Sequence, residues 1–218
     1  MRFIPILENY VGSKTRMGFS PNDIDVRIFY LNKNFEGNFH ISKKCIKTEN
    51  ILDVDYWEIK QVIKQITEGF DCAAFLYNTI SSPNYNNPSE HGLVLIENKE
   101  KLIGKSLIDG TLKYVERKIF MANGNHETPK TKSEIIFKHI YYACSDLTEL
   151  YYNLINDLNY PLKINDDVLK IKQNSKTYKE SIDILEDIKK KIIDLKIKNN
   201  PDYAWTNQFV KNCYSDYK

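Results

Sequence analysis

Polar and apolar residues alternate over the first six positions of Asp23-Ile24-Asp25-Val26-Arg27-Ile28-Phe29-Tyr30, the period of a strand with one buried face. That period puts Asp23, Asp25 and Arg27 on one side. Ser20-Pro21-Asn22, just before, is turn chemistry. Ile4 to Val11 reads as an earlier strand, with Pro5 tolerable near its start or on an edge. A third short strand is expected over Ile51-Leu52-Asp53-Val54-Asp55, running straight into a helix. There Ile59, Val62, Ile63 and Ile66 recur at helical spacing, and Gly69 stands where a left-handed C-terminal cap belongs. Phe70 to Ile80 predicts a second helix, and the proline- and asparagine-rich stretch from Ser81 to Gly92 predicts a loop.

From about residue 100 strand signals thin out and helical periods take over. Ile136, Ile140, Cys144, Leu147, Leu150 and Leu154 mark a helix within Ile135 to Leu158. Ile182, Leu185, Ile188, Ile192 and Leu195 mark another within Tyr178 to Lys198, with charged residues on its outside. Asn199-Asn200-Pro201 stops it, and Trp205, Phe209 and Cys213 predict a last short helix. The expected fold class is therefore α+β, with a strand-bearing front over residues 1–100 and an all-helical subdomain over residues 101–218.

Composition narrows the class without naming a function. At 218 residues, 42% hydrophobic and 28% charged, the chain can bury a core and is not expected to be disordered. Thirty-one basic and twenty-nine acidic residues leave a formal charge of +2, so any nucleic-acid surface must be local. Cys45, Cys72, Cys144 and Cys213 show no zinc or redox spacing, which predicts free thiols in a reducing compartment. No stretch approaches the ~18 apolar residues of a spanning helix and no leader pattern opens the chain, so the expected location is cytoplasmic, with no membrane partner.

The candidate chemistry lies between the first two strands. Gly12-Ser13 is followed ten residues after the serine by Asp23-Ile24-Asp25. A glycine lets backbone approach a triphosphate, and the serine adds a hydroxyl and an amide. Two carboxylates on one strand face can share a pair of hard cations, and a third is expected from a neighbouring strand, where Asp53 and Asp55 are both available. Lys14, Arg16 and Arg27 can meet phosphate oxygens; a solvated loop for the first two and a structural ion pair for Arg27 are the competing readings. His40, His91, His126 and His139 show no metal-ligand spacing, and no nucleophile elbow or Gly-x-x-x-x-Gly-Lys loop is present. Lys189-Lys190-Lys191 reads as a solvated helix face. Tyr141, Tyr142, Tyr151 and Tyr152 can stack on bases, although packing accounts for most of them.

The stretch GSKTRMGFSPNDIDVR, Gly12 to Arg27, resembles the active-site motif of the nucleotidyltransferase superfamily that includes DNA polymerase beta. More narrowly it is similar to the RNA-repair-associated, YcgL-like group, in which a second glycine, here Gly18, precedes the aspartate pair. DVDYWEIKQVIKQITEG resembles the third-carboxylate strand and following helix of that superfamily, a register in which Asp53 matches better than Asp55. Near Lys132 the chain departs, with Ile136 and His139 where a histidine and then an arginine are usual. The resemblance implies a small mixed sheet of the polymerase-beta type and a magnesium-dependent nucleotidyltransferase. Asp23, Asp25 and Asp53 would bind two Mg2+ ions; Gly12, Ser13, Lys14 and Arg27 would bind a nucleoside triphosphate such as ATP. The acceptor would be an RNA end, a protein or a small molecule, and the alternative is an inactive descendant that binds RNA or a protein partner.

Overall fold

In the computed structural model, residues 4–11, 23–32, 40–47, 50–83, 85–123, 132–155, 166–173 and 175–216 are described. Gly12, Ser13, Lys14, Arg16 and Gly18 lie outside them, and of Asp23 the strand position alone is described.

Among the described residues, β1 (Ile4–Val11), β2 (Asp23–Leu31), β3 (His40–Lys47), β4 (Asn50–Glu58) and the short β5 (Tyr85–Asn86) form one sheet in the order β3-β4-β2-β1-β5. β2 and β4 run parallel; the other pairs are antiparallel. The sheet is thus mixed and the chain α+β. A register shift between Pro5 and Leu7 interrupts the β1–β2 ladder beside the one residue of β1 with no N–H to give.

The alternation pattern does not predict strand β3. It is an edge strand whose sequence, HISKKCIK, spreads three lysines through its length, the composition that keeps an open edge from pairing with another chain and that also hides the alternation. β4 runs three residues beyond the expected segment, to Glu58, whose carboxylate accepts the Gln61 N–H and caps α1 (Ile59–Thr67). Val62, Ile63 and Ile66 of α1 are buried, and Gly69 has φ +70°, as the cap reading requires.

Helix α2 (Ala73–Ser81) begins after a turn closed by the Ala73 N–H on the Phe70 carbonyl, three residues later than its apolar run suggests. Its composition, AAFLYNTIS, is uncharged because it packs against both β1 and the later helices. Buried Asn9 of β1 donates to the Thr79 carbonyl at 2.7 Å and the Ser82 carbonyl at 3.3 Å, satisfying acceptors at the helix end. The expected loop ends sooner than Gly92, since Ser89 caps α3 (Glu90–Glu97). A 3-10 turn at Lys99–Leu102 leads to α4 (Lys105–Ala122).

The later helices are α5 (Lys132–Leu154), α6 (Asp166–Lys172), α7 (Tyr178–Asp194) and α8 (Tyr203–Ser215). α6, of seven residues, is too short to have shown a period. A capping box between Thr177 and Glu180 starts α7, and Lys196 at φ 53° ends it before the expected Lys198. α5 stops at Leu154 with Ile155 in a turn, and residues 156–165 lie outside the described part. One hydrophobic cluster runs from Leu7 and Phe29 of the sheet to Leu150 of α5, Ile192 of α7 and Phe209 of α8. The Tyr214 hydroxyl of α8 reaches back to donate to the buried Glu58 carboxylate at 2.6 Å. Among the described residues no helix is long and apolar enough to cross a membrane.

Cys72, Cys144 and Cys213 are free and buried, and desolvation pushes each thiol up to about 12. They are expected to react with a thiol-specific reagent at the rate of unfolding, read by mass spectrometry with and without urea; rapid modification of the native chain at these positions would contradict that burial.

Candidate active site

The parallel pairing of β2 with β4 sets Asp25 opposite Asp53, Arg27 opposite Asp55 and Phe29 opposite Trp57. Residues in register on neighbouring strands share a face. That face changes character along its length: Phe29 and Leu31 enter the core, while Asp25, Arg27, Asp53 and Asp55 line a cavity of about 400 Å3. β3 adds His40 and Ser42 to the same wall. The opposite wall is helical, with Phe75 of α2, Tyr114 of α4, and Tyr142 and Asp146 of α5.

Register separates the two candidates for a third carboxylate. Asp53 is the neighbour of Asp25, whereas Asp55 is hydrogen-bonded to His40 Nε2 at 3.2 Å and to Ser42. Burial by itself would raise the Asp55 pKa, but the His40 and Ser42 hydrogen bonds and the Arg27 charge outweigh it and hold the carboxyl below its ordinary 3.8. A carboxyl depressed in the folded state contributes stability above its unfolded pKa and loses it as pH falls through the folded value. Asp55→Asn should therefore lose the part of the acid-side stability slope that lies below about pH 4. Urea midpoints between pH 2.5 and 6 check this; an unchanged slope in the variant would refute it.

Arg27 is anchored to the helical layer. Its Nη1 donates to the Phe75 carbonyl at 3.2 Å and to Thr79 Oγ1, and its guanidinium lies 4.6 Å from the Phe75 ring centroid. This pins α2 over the sheet and leaves the Arg27 charge beside Asp55. Trp57 stacks on His40 at 4.1 Å and meets Phe75 edge-on at 5.7 Å, an aromatic run from β3 across β4 to α2.

Among the described residues, no three of His, Cys, Asp and Glu are grouped to hold a metal ion. The described donors are Asp25 and Asp53, side by side in register and facing a ligand-sized cavity. That set suits a hard cation such as magnesium, which is held through one or two carboxylates and completes its shell with water and substrate phosphate. Asp23 starts β2 opposite Ile51, two residues before Asp25.

Of the helical wall, Tyr142 alone stands among the sequence candidates, as a residue able to stack on a base; Tyr114 and Asp146 do not. Tyr114 donates to Asp146 Oδ2 at 2.5 Å, and both residues are buried. Asn78 of α2 donates to the Asp146 carbonyl at 3.0 Å, fixing α5 against the layer below. Lys118 Nζ lies 5.2 Å from the Tyr114 ring and 5.7 Å from the Tyr142 ring. Its ammonium is held below the usual lysine range, chiefly by burial, with the Asp146 charge opposing. The one available signal was an aspartate set within the apolar stripe of Cys144 and Leu147. Lys189, by contrast, pairs with Glu186 at 3.2 Å on the outside of α7, as a solvated face should.

No protein-family model matches the chain, and no curated protein matches it. Among solved structures, the crystal structure of a nucleotidyltransferase-like protein from Exiguobacterium sibiricum 255-15 aligns with 88% of this chain and 70% of its own. The TM-score is 0.36 and the identity 8%, so the functional reading rests on this chain's own residues.

Proposed function

We propose that the chain is a magnesium-dependent nucleotidyltransferase of the polymerase-beta superfamily, close to its RNA-repair-associated, YcgL-like members and working in the cytoplasm. It would move a nucleoside monophosphate from a nucleoside triphosphate to an acceptor hydroxyl. The observation that supports this best is the in-register pair Asp25 and Asp53, opening on one cavity from adjacent parallel strands. The spacing of Gly12-Ser13 ahead of Asp23 and Asp25 adds the phosphate-binding half.

Gly12 and Ser13, with Lys14, would cradle the triphosphate through backbone N–H groups and the serine hydroxyl. Asp23, Asp25 and Asp53 would hold two Mg2+ ions, which when bound supply charge neutralisation on the phosphates and a more acidic acceptor hydroxyl. The acceptor oxygen bonds to the α-phosphorus, the α–β anhydride bond breaks, and pyrophosphate leaves with the bonding electrons. Asp53 takes the hydroxyl proton. Asp55 is hydrogen-bonded to His40 and Ser42, which ties β3 to β4 and supports Asp53 over Asp55 as the base. Arg27 balances the carboxylate charge from beside Asp55.

The test is direct. Labelled ATP, GTP, CTP and UTP are incubated with the protein, magnesium, and total RNA or total protein as acceptor. Label transfer with matching pyrophosphate release, abolished by EDTA, is the expected result. Absence of both with every triphosphate would replace this reading with that of a non-catalytic binding protein.

A further inference from the structure

We propose that the acceptor is the end of a single-stranded polynucleotide, seated on Tyr142 between Lys118 and Lys138. This deepens the nucleotidyl-transfer reading and rests on it for the word acceptor, while the binding itself is measured independently. Tyr141 and Tyr142 are adjacent, with ring centroids 5.6 Å apart, yet Tyr141 is 4% exposed and packed whereas Tyr142 is 38% exposed and lines the cavity. Lys138, one turn before Tyr142 on α5, and Lys118 on α4 each place Nζ 5.7 Å from its ring centroid. Two helices thus bring two ammonium groups to one solvent-facing ring.

An aromatic face with flanking cations is what a stacked base and its phosphates require, and stacking tolerates any base. A second anion-favouring feature is Lys118 itself: burial works against its charge and Lys138 repels it, both of which a bound phosphate offsets. The polarity of the cavity sets the direction of entry. Asp25, Asp53 and Asp55 face in from the sheet, so a strand would lead with its uncharged terminal hydroxyl and leave its phosphate at the lysine rim. A protein hydroxyl carries no such obligatory anion, which is why a polynucleotide is favoured over a protein acceptor.

Fluorescence anisotropy with a labelled ten-nucleotide single strand tests this on the full chain, without triphosphate. The expected result is binding that weakens ~10-fold in Tyr142→Ala and stays near wild type in Tyr142→Phe. Lys118→Gln with Lys138→Gln should weaken it and flatten the dependence of log K on log salt by roughly one. Lys190→Gln, on the outer face of α7, should change nothing. RNA and DNA strands of equal sequence separate a ribose contact from the shared base-and-phosphate chemistry, and an acidic peptide of equal charge is the protein arm.

Indifference of strand binding to Tyr142→Ala and to the double lysine variant overturns the proposal, as does peptide binding with the same sensitivity. If Tyr142→Ala does not fold, the lysine pair and the salt slope decide. Pyrophosphate release that ignores the oligonucleotide, with no strand bound, sinks the acceptor assignment and spares nucleotidyl transfer. Strand binding without pyrophosphate release sinks nucleotidyl transfer and the acceptor role with it, and spares only the binding site on Tyr142.

Discussion

Asparagine at both Asp25 and Asp53 is expected to cut magnesium-dependent pyrophosphate release by about a thousandfold or more, while leaving the folded chain about as stable as before. Two-metal sites stabilise developing charge by several kcal/mol, and about 4 kcal/mol corresponds to three orders of magnitude. Asp25 and Asp53 are two of the three proposed ligands, so losing both leaves Asp23 alone of that set. The stability half follows from the same geometry. Like charges directly opposite across a strand pair are unfavourable, while the register of β3 also sets Lys44 opposite Asp53; asparagine gives up both with little change of shape, so the two effects largely offset. Asp55→Asn supplies the contrast: Asp55 is hydrogen-bonded to His40 and Ser42 at the edge of the site, so its loss should alter acid stability more than turnover. Activity and thermal midpoints measured on all three proteins decide it. A double variant that keeps its turnover, or loses it only because it no longer folds, would break the link between the paired carboxylates and catalysis.

Gly110→Ala is expected to cost about 2 kcal/mol and lower the melting temperature by roughly 4–8 °C. A Cβ at Gly110 would lie 2.5 Å from the Gly69 carbonyl carbon and 2.6 Å from both the Gly69 and Phe70 oxygens. These are backbone atoms, and no rotamer change relieves them. The contact is tight from both sides, since a Cβ on Gly69, already at φ +70°, would meet the Ser106 carbonyl oxygen at 2.1 Å. Alanine's better helix propensity returns up to about 1 kcal/mol inside α4, which is less than the overpacking takes away. The consequence reaches the cavity, because α4 carries Tyr114 and Lys118 and is set in place by this close approach to the turn between α1 and α2. Asp109→Ala, on the exposed side of the same helix, should stay within about 0.5 kcal/mol of wild type. Equal urea midpoints for Gly110→Ala and wild type would show that α4 can move aside freely.

Much of the fold could be read locally. β1 lies where the run from Ile4 to Val11 reads as a strand, the start of β2 at Asp23 follows from alternation and from the turn before it, and α1 follows from its apolar stripe and the glycine after it. Each signal is contained within a few neighbouring residues. β3 escaped because its lysines break the period, and α3 because Ser89 begins it inside a stretch whose prolines and asparagines read as loop. The Tyr114–Asp146 part of the helical wall escaped for another reason. Tyr114 and Asp146 are 32 residues apart in the chain, and nothing in either helix taken alone marks them as partners.

The aspartates show the division most clearly. Sequence by itself determined that Asp25 and its candidates Asp53 and Asp55 belong to the polar face of strands, because side-chain direction along a strand is a matter of a two-residue period. Only the tertiary structure showed how differently the two candidates are placed. A parallel ladder between β2 and β4 set Asp53 beside Asp25 and turned Asp55 toward Arg27, His40 and Ser42, and the register of two strands separated by a third is fixed by the whole sheet and the core beneath it. The same holds for Tyr142: its neighbour Tyr141 is packed and it is not, and which of two adjacent tyrosines faces the cavity was settled by how α4 and α5 meet.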